Sequence, residues 1–200
     1  MDHPDPQAKP YHHGDLRRAI LDAAERMLAE EGMEAVTIRA CARAAGVSPA
    51  APIHHFGSLR DLLAVLAARG FGQLVARLDA DLSQSGHRGD RALVGAYVAF
   101  ALSAPRMFDL MWREDVLNPA QAELVAARSL ALGRLQFHSQ TAIGEGDARL
   151  RAIRSWSLAH GLATLLLHGR IVTALGGPGT VLETKEDFAA LAYDLMFVRG

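Results

Sequence analysis

Only one cysteine, Cys41, occurs in the 200 residues, so no internal disulfide can form, a composition that fits a reducing compartment. Strand signals are also missing: no run alternates β-branched and polar residues, and alanine and leucine dominate. No apolar run reaches the ~18 residues that a membrane span needs. The longest, 158–167, is interrupted by His160. Residues 1–10 hold three prolines and two aspartates and lack the apolar core of a secretory signal. A cytoplasmic protein without membrane contact is therefore expected. A basic surplus is absent as well, since net charge is −1 and residues 1–70 carry eight cations against nine acids. Any nucleic-acid binding has to come from locally placed side chains rather than bulk attraction.

Catalytic and metal signatures are equally scarce. There is no HExxH and no Gly-x-Ser-x-Gly elbow. The adjacent pairs His12-His13 and His54-His55 point to different faces of a helix and make poor metal clamps. The run Gly176-Gly177-Pro178-Gly179 lacks the strand and lysine of a phosphate loop. Cys41 falls on the inner face of a short helix, which suits a core residue better than a nucleophile. No catalytic residue, metal or cofactor is expected, and a small helical enzyme is the weakest alternative.

What the chain does have is 50% hydrophobic residues in helical spacing, punctuated by glycine and proline. An all-α fold follows. Helix 15–31, with Asp15 as its cap, carries Leu16, Ile20, Ala23 and Met27 on one stripe. A second helix starts after Thr37 and ends at Gly46. A third is capped by Ser48 with Pro49 at its first position and stops at Gly57. A fourth opens at Ser58 with Asp61 as capping partner and runs to about Ser83. Helical patterns then cover 90–104, 105–113, 119–143, 147–175 and 184–198. The expected division is a flexible arm over 1–14, a DNA-binding unit over 15–63 and a larger helical unit over 64–200.

The spacing between Thr37 and Phe56 is that of a helix-turn-helix. Gly46 supplies the positive φ of a tight turn, and Ala42, four residues earlier, allows the helices to cross closely. Ile38, Cys41, Ala45 and Val47 can bury against the first helix, with Ile53 and Phe56 holding the third from its inner side.

The stretches Tyr11-His12-His13-Gly14-Asp15-Leu16-Arg17-Arg18, Gly46-Val47-Ser48-Pro49-Ala50-Ala51-Pro52-Ile53-His54-His55-Phe56 and Asp61-Leu62-Leu63 together resemble the N-terminal domain of TetR-family transcriptional regulators. The resemblance implies an all-helical homodimer with two DNA-reading heads and a C-terminal domain that binds a small molecule and then releases operator DNA. In the C-terminal half, Trp156-Ser157-Leu158-Ala159-His160-Gly161, preceded by Tyr97-Val98-Ala99-Phe100-Ala101 and Pro105-Arg106-Met107-Phe108, resembles the subgroup named for a Trp-His-Gly motif. Two positions depart from the family pattern: Ile53 stands where a tyrosine is usual and Leu59 where a lysine is usual, both on the DNA-backbone side. Arg60 is the candidate replacement cation, and the resemblance favours His55 as the residue packed beside Phe56.

These readings nominate Thr37, Arg39, Arg43, Ser48, Pro49, Ala50, Ala51, His54, His55 and Arg60 for duplex operator DNA. The first-turn residues of the third helix offer only methyl contacts to thymine, so discrimination should lean on Arg39, Arg43, His54 and DNA shape. Phe71, Tyr97, Phe100, Met107, Phe108, Met111, Trp112, Phe137, Trp156 and His160 are candidates for an apolar effector site, although each taken singly fits a core position better. Leu158, Leu162, Leu165 and Leu166, with Phe188, Leu191 and Leu195, exceed what one buried face needs and nominate a homodimer contact. A ligand-independent architectural DNA binder is the alternative; the absent basic surface and the large second unit weigh against it. Arg39→Ala should weaken operator binding more than Lys185→Ala. If Arg39 reads a guanine the loss is ~1–3 kcal/mol with relaxed specificity at one base pair. Unchanged affinity at low and moderate salt would place Arg39 on a solvated face.

Overall fold

The computed structural model describes residues 13–84, 90–139 and 148–169, and among these every regular element is helical. The chain runs α1 (His13–Glu30), a 3-10 turn (Met33–Ala35), α2 (Ile38–Ala44), α3 (Ala51–Phe56), α4 (Leu59–Gln84), α5 (Asp90–Ser103), α6 (Pro105–Met111), α7 (Ala122–Ser139) and α8 (Ala148–Leu167). The expected helix 184–198 and most of the arm lie outside the described residues. His13 and Gly14, expected in that arm, begin α1 instead, so Asp15 sits inside the first helical turn rather than capping it.

Local chemistry accounts for most boundaries. Thr37 caps α2 by accepting the Ala40 N–H at 3.2 Å. At the other end Val47 N–H returns to the Ala42 carbonyl and Gly46 N–H to that of Arg43, a Schellman closure that needs the left-handed φ of +68° at Gly46. The Ser58 hydroxyl accepts from the Asp61 N–H at 3.2 Å and donates to its carboxylate at 2.5 Å, starting α4. Pro105, which has no N–H to continue α5, opens α6 after a 107° bend.

The third helix starts later than expected. The Ser48 carbonyl accepts from Ala51 N–H at 3.0 Å, and the helical pattern begins with His54 N–H to the Ala50 carbonyl. Pro52 has no hydrogen to give Ser48, so Ser48-Pro49-Ala50 closes as a turn and Ser48 is not the cap. The same shift corrects the inner face. Pro52 and Phe56, four apart, are buried, whereas Ile53 is 47% exposed.

Helix α4 forms the axis. Leu62 to Ala67 are buried without interruption because α1, α3, α5, α6 and α7 all pack on this rod. Helix α8 closes the far side against α5 and α7. A continuous apolar core runs from Ile20, Leu28, Cys41 and Phe56 in the first three helices to Phe71, Leu78, Tyr97 and Leu135 in the rest. Burial pushes the Cys41 thiol up, leaving an inert core residue.

Helices α4 and α6 meet at Gly70, where an added Cβ would lie 2.8 Å from Met107 Sδ and 2.9 Å from Met111 Sδ. Gly70→Val should therefore cost ~1–3 kcal/mol in urea denaturation, despite valine's better helix propensity. Unchanged stability would mean that the two methionines swing aside freely.

Candidate DNA-reading face and sensing cavity

Helices α2 and α3 carry the reading candidates. Thr37, Arg39, Arg43, Ser48, Pro49, Ala50 and His54 are exposed there. Arg39 and Arg43 are four residues apart and so share one face of α2. Ile53, at the position of the missing tyrosine, joins this surface as an apolar side chain. Ala51 is half-buried and packs on the core, which leaves Ala50 as the better-presented methyl. His54 and the half-buried His55 meet edge to face at 5.5 Å. The Arg17 guanidinium covers the Phe56 ring at 4.9 Å.

Arg60 is the clear correction among the DNA candidates. Its guanidinium donates to the Asp115 carbonyl at 2.9 Å and to that of Leu117. It is therefore held against the loop between α6 and α7. Sequence reading saw only its position beside Leu59; the loop that binds it is 55 residues away. Asn118 completes this joint by donating to Asp61 at 2.6 Å, and the Ser58 and Asn118 donors hold the Asp61 carboxyl below the usual range.

On the other side of α4 lies a cavity of about 160 Å³ lined by Phe71, Leu74, Tyr97, Trp112, Arg128, Ala131, Leu132, Leu135 and Trp156. Four of the expected effector residues, Phe71, Tyr97, Trp112 and Trp156, meet there. Phe100, Met107, Phe108 and Met111 do not line it; they are buried in the core that supports it. The Phe137 side chain lies outside the described residues. The α7 contribution was missed, although Arg128, Ala131, Leu132 and Leu135 fall on one helical face and an arginine within an apolar stripe was a legible signal.

His160 is not part of the lining either; it supports Tyr97 from behind. Trp156 Nε1 donates to the Tyr97 hydroxyl at 3.4 Å, and the hydroxyl lies 3.0 Å from His160 Nδ1. The Trp112 ring packs on His160 at 4.7 Å. Burial raises the Tyr97 pKa, so the phenol stays neutral.

Residues 20–66 match the family described as bacterial regulatory proteins of the tetR family, and residues 91–184 match the tetracyclin repressor-like C-terminal domain. The chain belongs to the TetR family. It is accordingly a transcriptional regulator with a DNA-binding helix-turn-helix. The C-terminal match is described by the general repressor-like name and does not name the Trp-His-Gly subgroup. The HTH-type transcriptional regulator BetI of Rhizobium meliloti is 38% identical over 44% of this chain and 42% of that relative. The chain therefore spans less than half the length of that curated relative. A structure of a protein with unknown function from Rhodococcus sp. RHA1 is 34% identical, covering 92% of this chain and 95% of that one, with a TM-score of 0.73. A transcriptional regulator from Saccharomonospora viridis, solved in complex with choline, shares the fold at a TM-score of 0.62 and 23% identity, covering 92% and 96% of the two chains. Among the described residues of this TetR-family chain, no group of three or more His, Cys, Asp or Glu is placed to hold a metal.

Burial lowers the proton affinity of His160 below the ordinary histidine value of 6.5. The unfolded chain then takes up the proton first, so this contribution to stability is complete above about pH 6.5 and is lost as pH falls below it. The melting temperature should drop from about pH 7.5 to about pH 5.5, and drop less in His160→Gln. Equal slopes in the two proteins would assign the pH dependence to other groups.

Proposed function

We propose that this regulator is a repressor that binds operator DNA as a homodimer and is released by a small apolar or aromatic effector in the α4–α8 cavity. Residues 15–63 would form the reading head and 64–200 the sensing and dimerisation unit, in a cytoplasmic protein. The observation that carries the reading is the single helix α4. It begins at Leu59 beside the head, and its Phe71 and Leu74 wall the cavity. The separation is about 18 Å along one rod at 1.5 Å per residue. A ligand that tilts this rod changes the spacing of two heads, which must match major grooves ~34–36 Å apart. A 100-fold loss of affinity requires ~2.7 kcal/mol of differential binding. The choline bound by the Saccharomonospora relative supports an effector role for a domain of this fold, without fixing its chemistry here.

The dimer proposal draws on α8, where Leu150, Ile153, Leu158 and Leu165 are exposed, Leu150 by 65%. Of the residues nominated from sequence, Leu158 and Leu165 fit. Leu162 is buried in the chain's own core and Leu166 packs partly against it, because both turn toward α5 and α7. Phe188, Leu191 and Leu195 lie outside the described residues. An uncovered apolar stripe of this kind is stabilised by a second copy across a two-fold axis. Light scattering should give twice the 21.5 kDa chain mass, and Leu158→Asp with Leu165→Asp should restore the single-chain mass and weaken operator binding more than tenfold, since one head loses the other. A wild-type monomer at micromolar concentration would reject the dimeric reading.

A further inference from the structure

Two residues of the cavity wall each bury a polar group that an apolar core does not need. Trp112 Nε1 and Arg128 Nε are buried N–H donors without an acceptor, and both residues line the cavity. A buried, unpaired donor costs roughly 1–3 kcal/mol, and a bound acceptor recovers much of that. The third such atom among the described residues, Ser155 Oγ, belongs to a residue outside the lining.

Size and charge narrow the ligand further. The volume of about 160 Å³ compares with the ~150 Å³ apolar cavity that accepts benzene. Its walls are aromatic: Phe71 meets Trp112 edge to face at 5.3 Å, and Trp112 lies 5.6 Å from Trp156. The Arg128 guanidinium lies over Phe71 at 5.7 Å and is paired with Glu114 at 2.5 Å, with a further contact to the Met111 carbonyl at 3.3 Å. Because Glu114 already balances that charge, an anion would enter an apolar site without a counter-charge of its own. A cation would face the guanidinium across one ring width.

We propose that the cavity binds a neutral single-ring aromatic carrying a carbonyl or similar acceptor, which receives hydrogen bonds from Trp112 Nε1 and Arg128 Nε. The inference rests on the reading of this cavity as the effector site. It separates this chain from recognition of quaternary ammonium ions, which aromatic walls alone would favour.

The test is calorimetry on the full chain with four probes of similar size: acetophenone, cumene, benzoate and phenyltrimethylammonium. Acetophenone should bind, with the two ions each weaker by about tenfold or more. Trp112→Phe and Arg128→Met should each weaken acetophenone about tenfold and leave cumene within about twofold, because cumene has the shape but no acceptor. Trp112→Phe keeps a ring in place and decides the matter if Arg128→Met fails to fold. Tighter binding of either ion, an equal loss for cumene, or no binding of acetophenone up to its solubility overturns the assignment. Fluorescence anisotropy with an operator selected from random duplexes separates the two levels. Acetophenone that binds without weakening operator affinity would reject release while the ligand class stands. Release by a ligand of another class, with acetophenone silent, would reject the ligand class while release stands.

Discussion

Helix α4 is apolar on every side over Leu62 to Ala67, and α1, α3, α5, α6 and α7 are arranged to satisfy that demand. A helix with one apolar stripe needs one partner; this one needs a sleeve, formed by α1 and α3 at one end and by α5, α6 and α7 further along. Close packing around a rod of this kind leaves little room for independent movement. At Gly70 an added methyl group would force Met107 and Met111 to shift. The rod that walls the cavity through Phe71 and Leu74 is the same one on which α1 and α3 pack.

The polar contacts between the first helices and the rest are of a different kind. Arg69 bridges Asp22 at 2.6 Å and Glu25 at 2.7 Å, Arg106 donates to the Ala29 carbonyl at 2.8 Å, and Arg17 pairs with Glu123 at 2.5 Å. These groups are partly solvated, and such pairs contribute roughly 0–1 kcal/mol each. They fix the angle of α1 against α4, α6 and α7 without locking it. Apolar packing joins the helix-turn-helix to the rest of the chain, and these polar contacts add to it at the surface. Arg60 instead ties the start of α4 to the carbonyls of the loop after α6.

Much of this was legible in the residues. Period and punctuation gave the all-helical class, the cap at Thr37, the glycine turn at Gly46 and the capping pair Ser58 and Asp61, because each depends on neighbours within four positions. Of the aromatic residues nominated from sequence, Phe71, Tyr97, Trp112 and Trp156 come together around one cavity. Which of them would wall a cavity was not legible: Phe108 lies within α6 and Trp112 caps its C-terminal end, yet only Trp112 lines the cavity.

The sequence by itself determined what short-range chemistry controls: helix class, the turn, most starts and stops, and the family motifs of the reading head. Tertiary structure decided what depends on partners distant in the chain. Arg60 was drawn from a nominal phosphate contact to backbone carbonyls 55 residues away, Leu162 from an intersubunit face into the core, and Ile53 from an inner face to the surface once Pro52 displaced the start of α3. Arg128 became a cavity residue only when α7 was laid against α4. A side chain's local period fixes the face it occupies, but the helix opposite that face is chosen by packing of the whole chain, and that choice decides whether the residue meets solvent, core or cavity.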